Sequence, residues 1–431
     1  MIPALTSHLT LRRAIASTAA ALLLAGGLSV VGAPAAKAAD NVVTPLCPRA
    51  AIVGHPIPLT PARDKPIGTV RVNGSLPPEL ILNNDFEYAG TPTAVGTFNF
   101  VVTSSYPRED GSTGQRDTIC QMLVKPEPTV TRIEGADRYQ TAVATSARMF
   151  TTSPIVYVVS GEKFADALSA SGVAGIHDAP ILLAQSGAVP AEVLAEIRRL
   201  GATDIGLVGG ALTLSPAVEA QLATTGARVT RIVGEDRYAV SRNLLANPLF
   251  GNSASKAPTL VSGLGFPDAL TAGPAATHTG QSVLLLNGAS TSLTPAEMSF
   301  FQSSGFTSAH VVGGPASFTG DLARSASMTI NPDGGIGPRV YGPDRYATGV
   351  AVNEAFTSSG RVYVASGVGF ADALSGGAAA GHDDSPLFIV PTGCIPSSVL
   401  TAIYHLAPSE VVLLGGPSTL SPAVQALTPC P

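Results

Sequence analysis

The sequence contains no tryptophan, and aromatic residues make up only 5% of its 431 positions. Its cores must therefore be filled by Ala, Val and Leu, which the 45% hydrophobic content allows. Charged residues are also scarce, at 13%, and with so much apolar content that excludes a disordered polyelectrolyte. The charge that is present is acidic on balance, with a formal net value of −5. Arg12, Arg13 and Lys37 lie in an N-terminal stretch without acids, so removing these three charges takes −5 to −8. The overall field of such a chain gives no help in binding nucleic acid or an anionic membrane. Any bound anion must be held by local basic groups. The four cysteines, Cys47, Cys120, Cys394 and Cys430, show no C-x-x-C spacing, which excludes the common zinc and redox motifs. Neither G-x-S-x-G nor G-x-G-x-x-G occurs, so a nucleophile elbow and a dinucleotide fingerprint are both missing. No cofactor and no metal are expected.

What is present is one phrase in three copies: Gly135-Ala136-Asp137-Arg138-Tyr139, Gly234-Glu235-Asp236-Arg237-Tyr238 and Gly342-Pro343-Asp344-Arg345-Tyr346. About 30 residues after each comes a second phrase, Phe164-Ala165-Asp166-Ala167-Leu168, Phe266-Pro267-Asp268-Ala269-Leu270 and Phe370-Ala371-Asp372-Ala373-Leu374. Each unit ends in a glycine pair, Gly209-Gly210, Gly313-Gly314 or Gly415-Gly416. A period of roughly 100 residues is too long for a solenoid, so each copy reads as a small domain.

In chain order, Arg12-Arg13 precede an apolar run that ends near Ala36-Lys37-Ala38, the pattern of a secretory signal peptide over residues 1–38. An uncleaved anchor is the alternative. No hydrophobic run closes the C-terminus, so surface attachment is expected to be non-covalent. Residues 40–126 hold short alternating runs, among them Thr97–Thr103 and Ile119–Val124, between Pro- and Gly-rich turns. They predict a small β-sandwich. From Thr129 strand and helix signals alternate. In the first unit they predict a strand at Val130–Glu134, a helix at Arg138–Met149 capped by Asp137, and buried strands at Pro154–Ser160, Pro180–Leu183 and Asp204–Val208. This order implies an α/β domain with a parallel sheet. The expected units are 129–227, 228–330 and 338–431, with a glycine-rich segment between the last two. Three cysteine pairings are formally possible. In an exported protein the sequence-local ones, Cys47–Cys120 and Cys394–Cys430, are expected, with buried free thiols as the alternative.

These motifs, in this order and three times over, resemble the type 2 cell wall-binding repeat family. Residues Gly74–Pro78 and Ala89–Phe100 resemble a bacterial immunoglobulin-like surface module, which implies a spacer or adhesion role. The first resemblance implies three Rossmann- or Toprim-like units packed as a pseudo-threefold disc. It also implies attachment of an exported, non-enzymatic protein to the Gram-positive cell wall through an anionic secondary wall polymer. The family's isoleucine-leucine-leucine motif is linked to that contact. It maps to Ile181-Leu182-Leu183 and, with departures, to Val283-Leu284-Leu285 and Leu387-Phe388-Ile389.

Two sets of arginines are further polymer candidates: Arg132, Arg231 and Arg339 before the glycine, and Arg138, Arg237 and Arg345 after the aspartate. A guanidinium offers a planar fork to phosphate or carboxylate. The bland reading pairs these arginines with the repeated aspartates, Asp137, Asp166, Asp236, Asp268, Asp344 and Asp372, as structural ion pairs. A glycosidase reading of two carboxylates in one unit, Asp137 with Asp166, is weakened by threefold repetition. His177, His278 and His382 lie at helix ends and read as caps. Ser160-Gly161, Ser262-Gly263 and Ser366-Gly367 read as tight strand-to-helix turns. An adhesin or surface-assembly protein recognising protein or carbohydrate is the alternative function, with a wall glycan hydrolase behind it.

Overall fold

Apolar runs alternating with small-residue helices build the α/β part of the chain. A computed structural model describes residues 47, 50–57, 69–83, 87–108, 110, 112–252, 254–331 and 336–431. The expected signal peptide lies outside these residues, as do positions 332–335 of the glycine-rich segment.

The N-terminal module has strands β1 (Ala50–Ile52), β2 (Val70–Gly74), β3 (Leu80–Leu82), β4 (Tyr88–Gly90), β5 (Gly96–Pro107) and β6 (Thr113–Lys125). A four-stranded sheet runs β1-β6-β5-β2, and β3 pairs with β4 separately. Strands β5 and β6 are antiparallel from Gly96↔Val124 to Pro107↔Thr113, whereas β1 joins β6 in parallel. Alternate residues Cys120, Met122 and Val124 face the core, the period of two expected of a half-buried strand. Cys47 is bonded to Cys120 with Cα atoms 5.4 Å apart. The module rests on the third repeat: Lys125 Nζ donates to the Ala407 carbonyl at 2.7 Å, and His55 stacks on Tyr404.

The first repeat contains β7 (Thr129–Ile133), α1 (Arg138–Met149), β8 (Ile155–Ser160), α2 (Ala170–Ile176), β9 (Ile181–Ala184), α3 (Ala191–Leu200), β10 (Asp204–Val208) and α4 (Pro216–Ala223). The second contains β11 (Arg228–Ile232), α5 (Arg237–Ala246), β12 (Thr259–Ser262), α6 (Pro267–His278), β13 (Val283–Leu286), α7 (Pro295–Ser304), β14 (Ala309–Val312) and α8 (Gly320–Ile330). The third contains β15 (Ile336–Val340), α9 (Arg345–Asn353), β16 (Arg361–Ser366), α10 (Ala371–His382), β17 (Leu387–Val390), α11 (Ser397–Leu406), β18 (Glu410–Leu414) and α12 (Pro422–Gln425).

The three parallel sheets run β11-β10-β8-β9, β13-β12-β14-β15 and β17-β16-β18-β7. The strand that opens each repeat is thus hydrogen-bonded into the sheet of another. Strand β11 pairs with β10, β15 with β14, and β7 closes the ring on β18 across some 280 residues of chain. Units cut at the sequence boundaries would each lose an edge strand. Helices α2, α6 and α10 pack on one another at the centre. Their Gly, Ala and Ser content is a packing requirement. A Cβ on Gly175 would lie 2.6 Å from Thr277 Oγ1 and 3.1 Å from the Gly381 Cα. Above these helices, the rings of Phe164, Phe266 and Phe370 meet pairwise at 5.6, 5.8 and 6.2 Å. The near-equality of these distances expresses the threefold relation of the repeats. Cys394 is bonded to Cys430 with Cα atoms 4.9 Å apart, tying the last residues to the loop before α11.

One set of candidates is corrected here. Ile181, Leu182, Leu183, Val283, Leu284, Leu285, Leu387, Phe388 and Ile389 are all 0–1% exposed. They occupy β9, β13 and β17, where both faces are covered, so these side chains present no surface to a polymer. Their apolar character is explained by burial alone.

Candidate functional site

The aspartate of each first phrase acts as a helix N-cap. Asp137 Oδ1 accepts from the N–H groups of Tyr139 and Gln140, both at 2.9 Å. Asp236 accepts from Ala239, and Asp344 from Tyr346 and Ala347. Such caps satisfy N–H groups that the helix leaves unpaired. The tyrosine that follows lies against the glycine ending the next strand. A Cβ on Gly161, Gly263 or Gly367 would come within 2.7–2.8 Å of the ring of Tyr139, Tyr238 or Tyr346. The adjacent serines are turn acceptors: Ser160 Oγ takes the N–H of Lys163, and Ser262 and Ser366 do the same for Leu264 and Val368.

The two arginine sets separate cleanly. Arg132 donates to the carbonyls of Gly415 and Leu420 and to Gln425. Arg231 donates to the carbonyls of Gly209, Leu214 and Ser215 and pairs with Glu219 at 2.7 Å. Arg339 donates to the carbonyls of Gly313, Phe318 and Thr319. In every case the partners belong to the preceding repeat around the ring, so this set fastens exchanged strands to their host sheets. Arg138, Arg237 and Arg345 each give one donor to a single carbonyl of their own repeat, at Gly161, Gly263 and Gly367. Arg138 and Arg345 are exposed and Arg237 is half-buried. Among the described residues none of the three forms a direct salt bridge with a repeated aspartate, but across a joint the charge of Arg138 acts on Asp372 and that of Arg345 on Asp268.

Two of these arginines, Arg138 and Arg345, stand at clefts between repeats. One cleft, of about 370 Å³, is lined by Asp137 and Arg138 of the first repeat and by Val368, Phe370, Asp372 and Ser418 of the third. Another, of about 420 Å³, is lined by Leu264, Asp268 and Ser317 of the second repeat and by Asp344 and Arg345 of the third. The two repeated phrases therefore meet across a joint: the first phrase of one repeat faces the second phrase of its neighbour. Arg138 lies over the Phe370 ring at 6.0 Å and Arg237 over Phe164 at 5.7 Å, both across a joint. The glycosidase pairing of Asp137 with Asp166 is not the spatial one, since Asp137 shares its cleft with Asp372. Its Oδ1 also holds a helix terminus.

At the third joint Glu162-Lys163 replaces Leu264-Gly265 and Val368-Gly369. Lys163 Nζ donates to the Leu212 carbonyl at 2.7 Å, joining two loops of the first repeat whose equivalents together form one wall of each cleft above. The histidines also work across joints. His382 contacts Asp178 at 3.0 Å, His278 contacts Asp384 at 2.6 Å, and His177 contacts the Gly251 carbonyl at 2.8 Å.

The second-phrase aspartates are set back under the glycine pairs. Gly415 has φ +105, and a Cβ there would meet Asp372 Oδ2 at 2.4 Å. Both the backbone and the close approach require glycine. Asp166 accepts from Thr213 Oγ1 at 2.8 Å and Asp268 from Ser317 Oγ at 3.4 Å. Burial raises the Asp268 pKa, against Ser317 and Arg345. Burial pushes Asp372 up to about 6, against the opposing charge of Arg138. A carboxyl whose folded pKa lies above its unfolded value of 3.8 contributes stability below that value, and the contribution is lost as pH rises through about 6. The variant Asp372→Asn should therefore melt higher than the parent at pH 7.5, by on the order of 2 kcal/mol, and gain nothing at pH 3.5. Equal gains at both pH values would count against a titrating carboxyl.

Sequence reading passed over parts of the walls of these clefts: Val368 and Ser418 in one, Leu264 and Ser317 in the other. The repeated phenylalanine of the second phrase was the available signal, because an aromatic kept in three copies on a surface turn needs a partner.

Residues 132–219, 231–322 and 339–425 match the family model described as cell wall binding domain 2 (CWB2). The chain is 25% identical over 296 residues to the N-acetylmuramoyl-L-alanine amidase LytC of Bacillus subtilis (strain 168), covering 68% of this chain and 57% of the amidase. It is 26% identical over 295 residues to the amidase enhancer of the same organism, covering 68% of this chain and 39% of the relative. The chain thus spans only part of the length of both. Cwp6 from Clostridium difficile superposes with a TM-score of 0.63 at 20% identity, over 88% of this chain and 66% of Cwp6. Cwp8 from the same organism gives 0.60 at 20% identity, over 84% and 62%. At that identity the likeness is one of fold.

Proposed function

The chain belongs to the cell wall binding domain 2 family, carrying three copies of the domain, and from that premise we propose that it is an exported, non-enzymatic protein held non-covalently on the Gram-positive cell wall by an anionic secondary wall polymer seated in the clefts between repeats. The observation that carries this reading is the position of Arg138 and Arg345. Each lines a cleft while giving one donor to protein. The remaining donors of each guanidinium match the planar oxygens of phosphate or carboxylate. The faces of Phe370 and the side chains of Leu264 and Val368 offer apolar contact for sugar rings beside them.

Repetition then has a physical purpose. Weak sites fixed on one body raise apparent affinity through effective concentration when a single mesh reaches several of them. The N-terminal β-module serves as a spacer carried on the third repeat. LytC is an amidase by name, but this chain spans 57% of its length. In the clefts described above, the aspartate beside the raised Asp372 is a helix cap, which disfavours an acid–base pair.

The test is a pulldown of the chain with intact walls and with walls stripped of covalently attached anionic polymer, with solubilised glycan followed in the same tubes. Binding should occur to intact walls alone, without glycan release. It should also weaken steeply between about 50 and 500 mM salt, where exposed charges become screened. Equal binding to stripped walls, or indifference to salt, would remove the anionic polymer from the proposal. Release of glycan would replace it with a hydrolase.

A further inference from the structure

The three repeats act as internal controls for one another, and they differ at one place away from the clefts, between the first and third helices of each repeat. In the first repeat this groove is filled by charge. Arg199 on α3 donates to both carboxylate oxygens of Glu196, at 2.6 and 2.7 Å. It also donates to the carbonyls of Phe150 and Thr151, at 2.8 and 3.1 Å. Ser146 on α1 closes the set by donating to Glu196. In the second repeat the positions of Ser146, Glu196 and Arg199 are taken by Leu245, Phe300 and Ser303, so apolar bulk stands there, with an Arg242–Glu297 ion pair at 3.6 Å joining the same two helices.

In the third repeat the same three positions are Asn353, Ala402 and His405. Neither filling is possible with a methyl group at Ala402, and a cavity of about 310 Å³ remains between α9 and α11. Asn353 is 3% exposed. Its Nδ2 donates to the Leu387 carbonyl at 2.8 Å, but its Oδ1 is buried without a partner. An orphaned buried acceptor is costly, and the residue that carries it lines the cavity. Phe356 and Thr357, the counterparts of Phe150 and Thr151, line it too, as does Glu354. Among the described residues no side chain donates to the Phe356 or Thr357 carbonyls. His405 stands where Arg199 would. Burial lowers its pKa, against the opposing pull of Glu354, which leaves the cavity without a cation of its own near neutrality.

We propose that this cavity in the third repeat is a binding site for an alkylguanidinium group, supplied either by a small molecule or by an arginine side chain of another polypeptide. The apolar stem lies against Val350 and Leu406, and the guanidinium takes the place that Arg199 fills in the first repeat. There it meets Asn353 Oδ1, the two carbonyls and the Glu354 carboxylate, with a volume at the lower end of those that hold small ligands.

The test titrates the full chain with pentylguanidine, its uncharged isostere pentylurea, and N-acetyl-arginine methylamide, following amide and side-chain resonances. Pentylguanidine should bind at a single site in about the millimolar range or tighter, with pentylurea weaker by about tenfold or more. Tighter binding of the arginine amide assigns the source as a polypeptide, and weaker binding assigns a small molecule. The variant Ala402→Glu/His405→Arg rebuilds the filling of the first repeat and should abolish binding while keeping the melting temperature. If that variant does not fold, Glu354→Gln, on an exposed residue, should weaken pentylguanidine by about fivefold or more and leave pentylurea unchanged. Equal binding of guanidine and urea, no binding of either guanidine at about 10 mM, or undiminished binding in the refilled variant overturns the proposal.

Discussion

Replacing Arg138, Arg237 and Arg345 together by glutamine should lower wall affinity by about two to three orders of magnitude, since hydrogen bonds to charged groups contribute about 1.5–3 kcal/mol each and act here across several sites. The folded state should survive. Each side chain gives up one hydrogen bond to a carbonyl, a net loss of about 1 kcal/mol per site, so the melting temperature should fall by only a few degrees. The opposite pattern is expected for Arg132, Arg231 and Arg339, whose donors are occupied by three or four groups of a neighbouring repeat. Their replacement leaves buried carbonyls without donors and should lower the melting temperature first, with wall binding falling only as the fold does. Wall pulldown and thermal unfolding of both triple variants check this. If the first triple binds as well as the parent, the clefts are not the polymer site. If it unfolds at low temperature, its arginines are structural after all.

The second large effect concerns closure of the ring. A chain that begins at Glu134 lacks β7 and therefore the whole register from Glu410↔Thr129 to Leu414↔Ile133. It also lacks Arg132, which holds Gly415, Leu420 and Gln425, and Thr131, which donates to Glu410 at 2.6 Å. Glu410 is the hub of that joint. It binds Arg148 of the first repeat and Arg361 of the third. Burial pushes its pKa up, but hydrogen bonds from Thr131, Arg361 and Arg148 outweigh burial and hold it below the ordinary value. Five paired positions and this network amount to a loss on the order of 5 kcal/mol or more, comparable with the whole stability of a domain. Hydrogen exchange at β16 and β18 should accelerate to nearly unprotected rates in the truncated chain, while a chain beginning at Thr129 keeps its protection. Unchanged protection in the shorter chain would mean that the exchanged strand is dispensable. Because β11 and β15 are exchanged in the same way, isolated repeats cut at 227/228 or at 330/338 should also fail to fold alone.

These two experiments mark where sequence reading reaches its range. The α/β order, the cap at Asp137 and the buried strand at Pro180–Leu183 were all legible, because each rests on interactions within a few residues. A cap needs only its own first turn, and a strand covered on both faces shows itself as an unbroken apolar run. The same locality misleads over function. The apolar strands and the two arginine sets resemble binding elements equally well when only spacing is visible.

Tertiary structure decided among them by burial and by who owns each hydrogen bond. Strands β7, β11 and β15 carry Thr-Val-Thr-Arg-Ile, Arg-Val-Thr-Arg-Ile and Ile-Gly-Pro-Arg-Val, and nothing in those letters says which sheet they join. Parallel pairing is non-local, set by how long crossovers return the chain to an open edge. Once the strands are exchanged, the Arg132 set lies inside a neighbour and the Arg138 set is left at the joint. Sequence alone thus determined three similar α/β units, each bearing two repeated phrases. That the phrases meet across repeats and leave clefts between them follows only from closure of the ring, because parallel edge strands remain unsatisfied until another repeat supplies their partner.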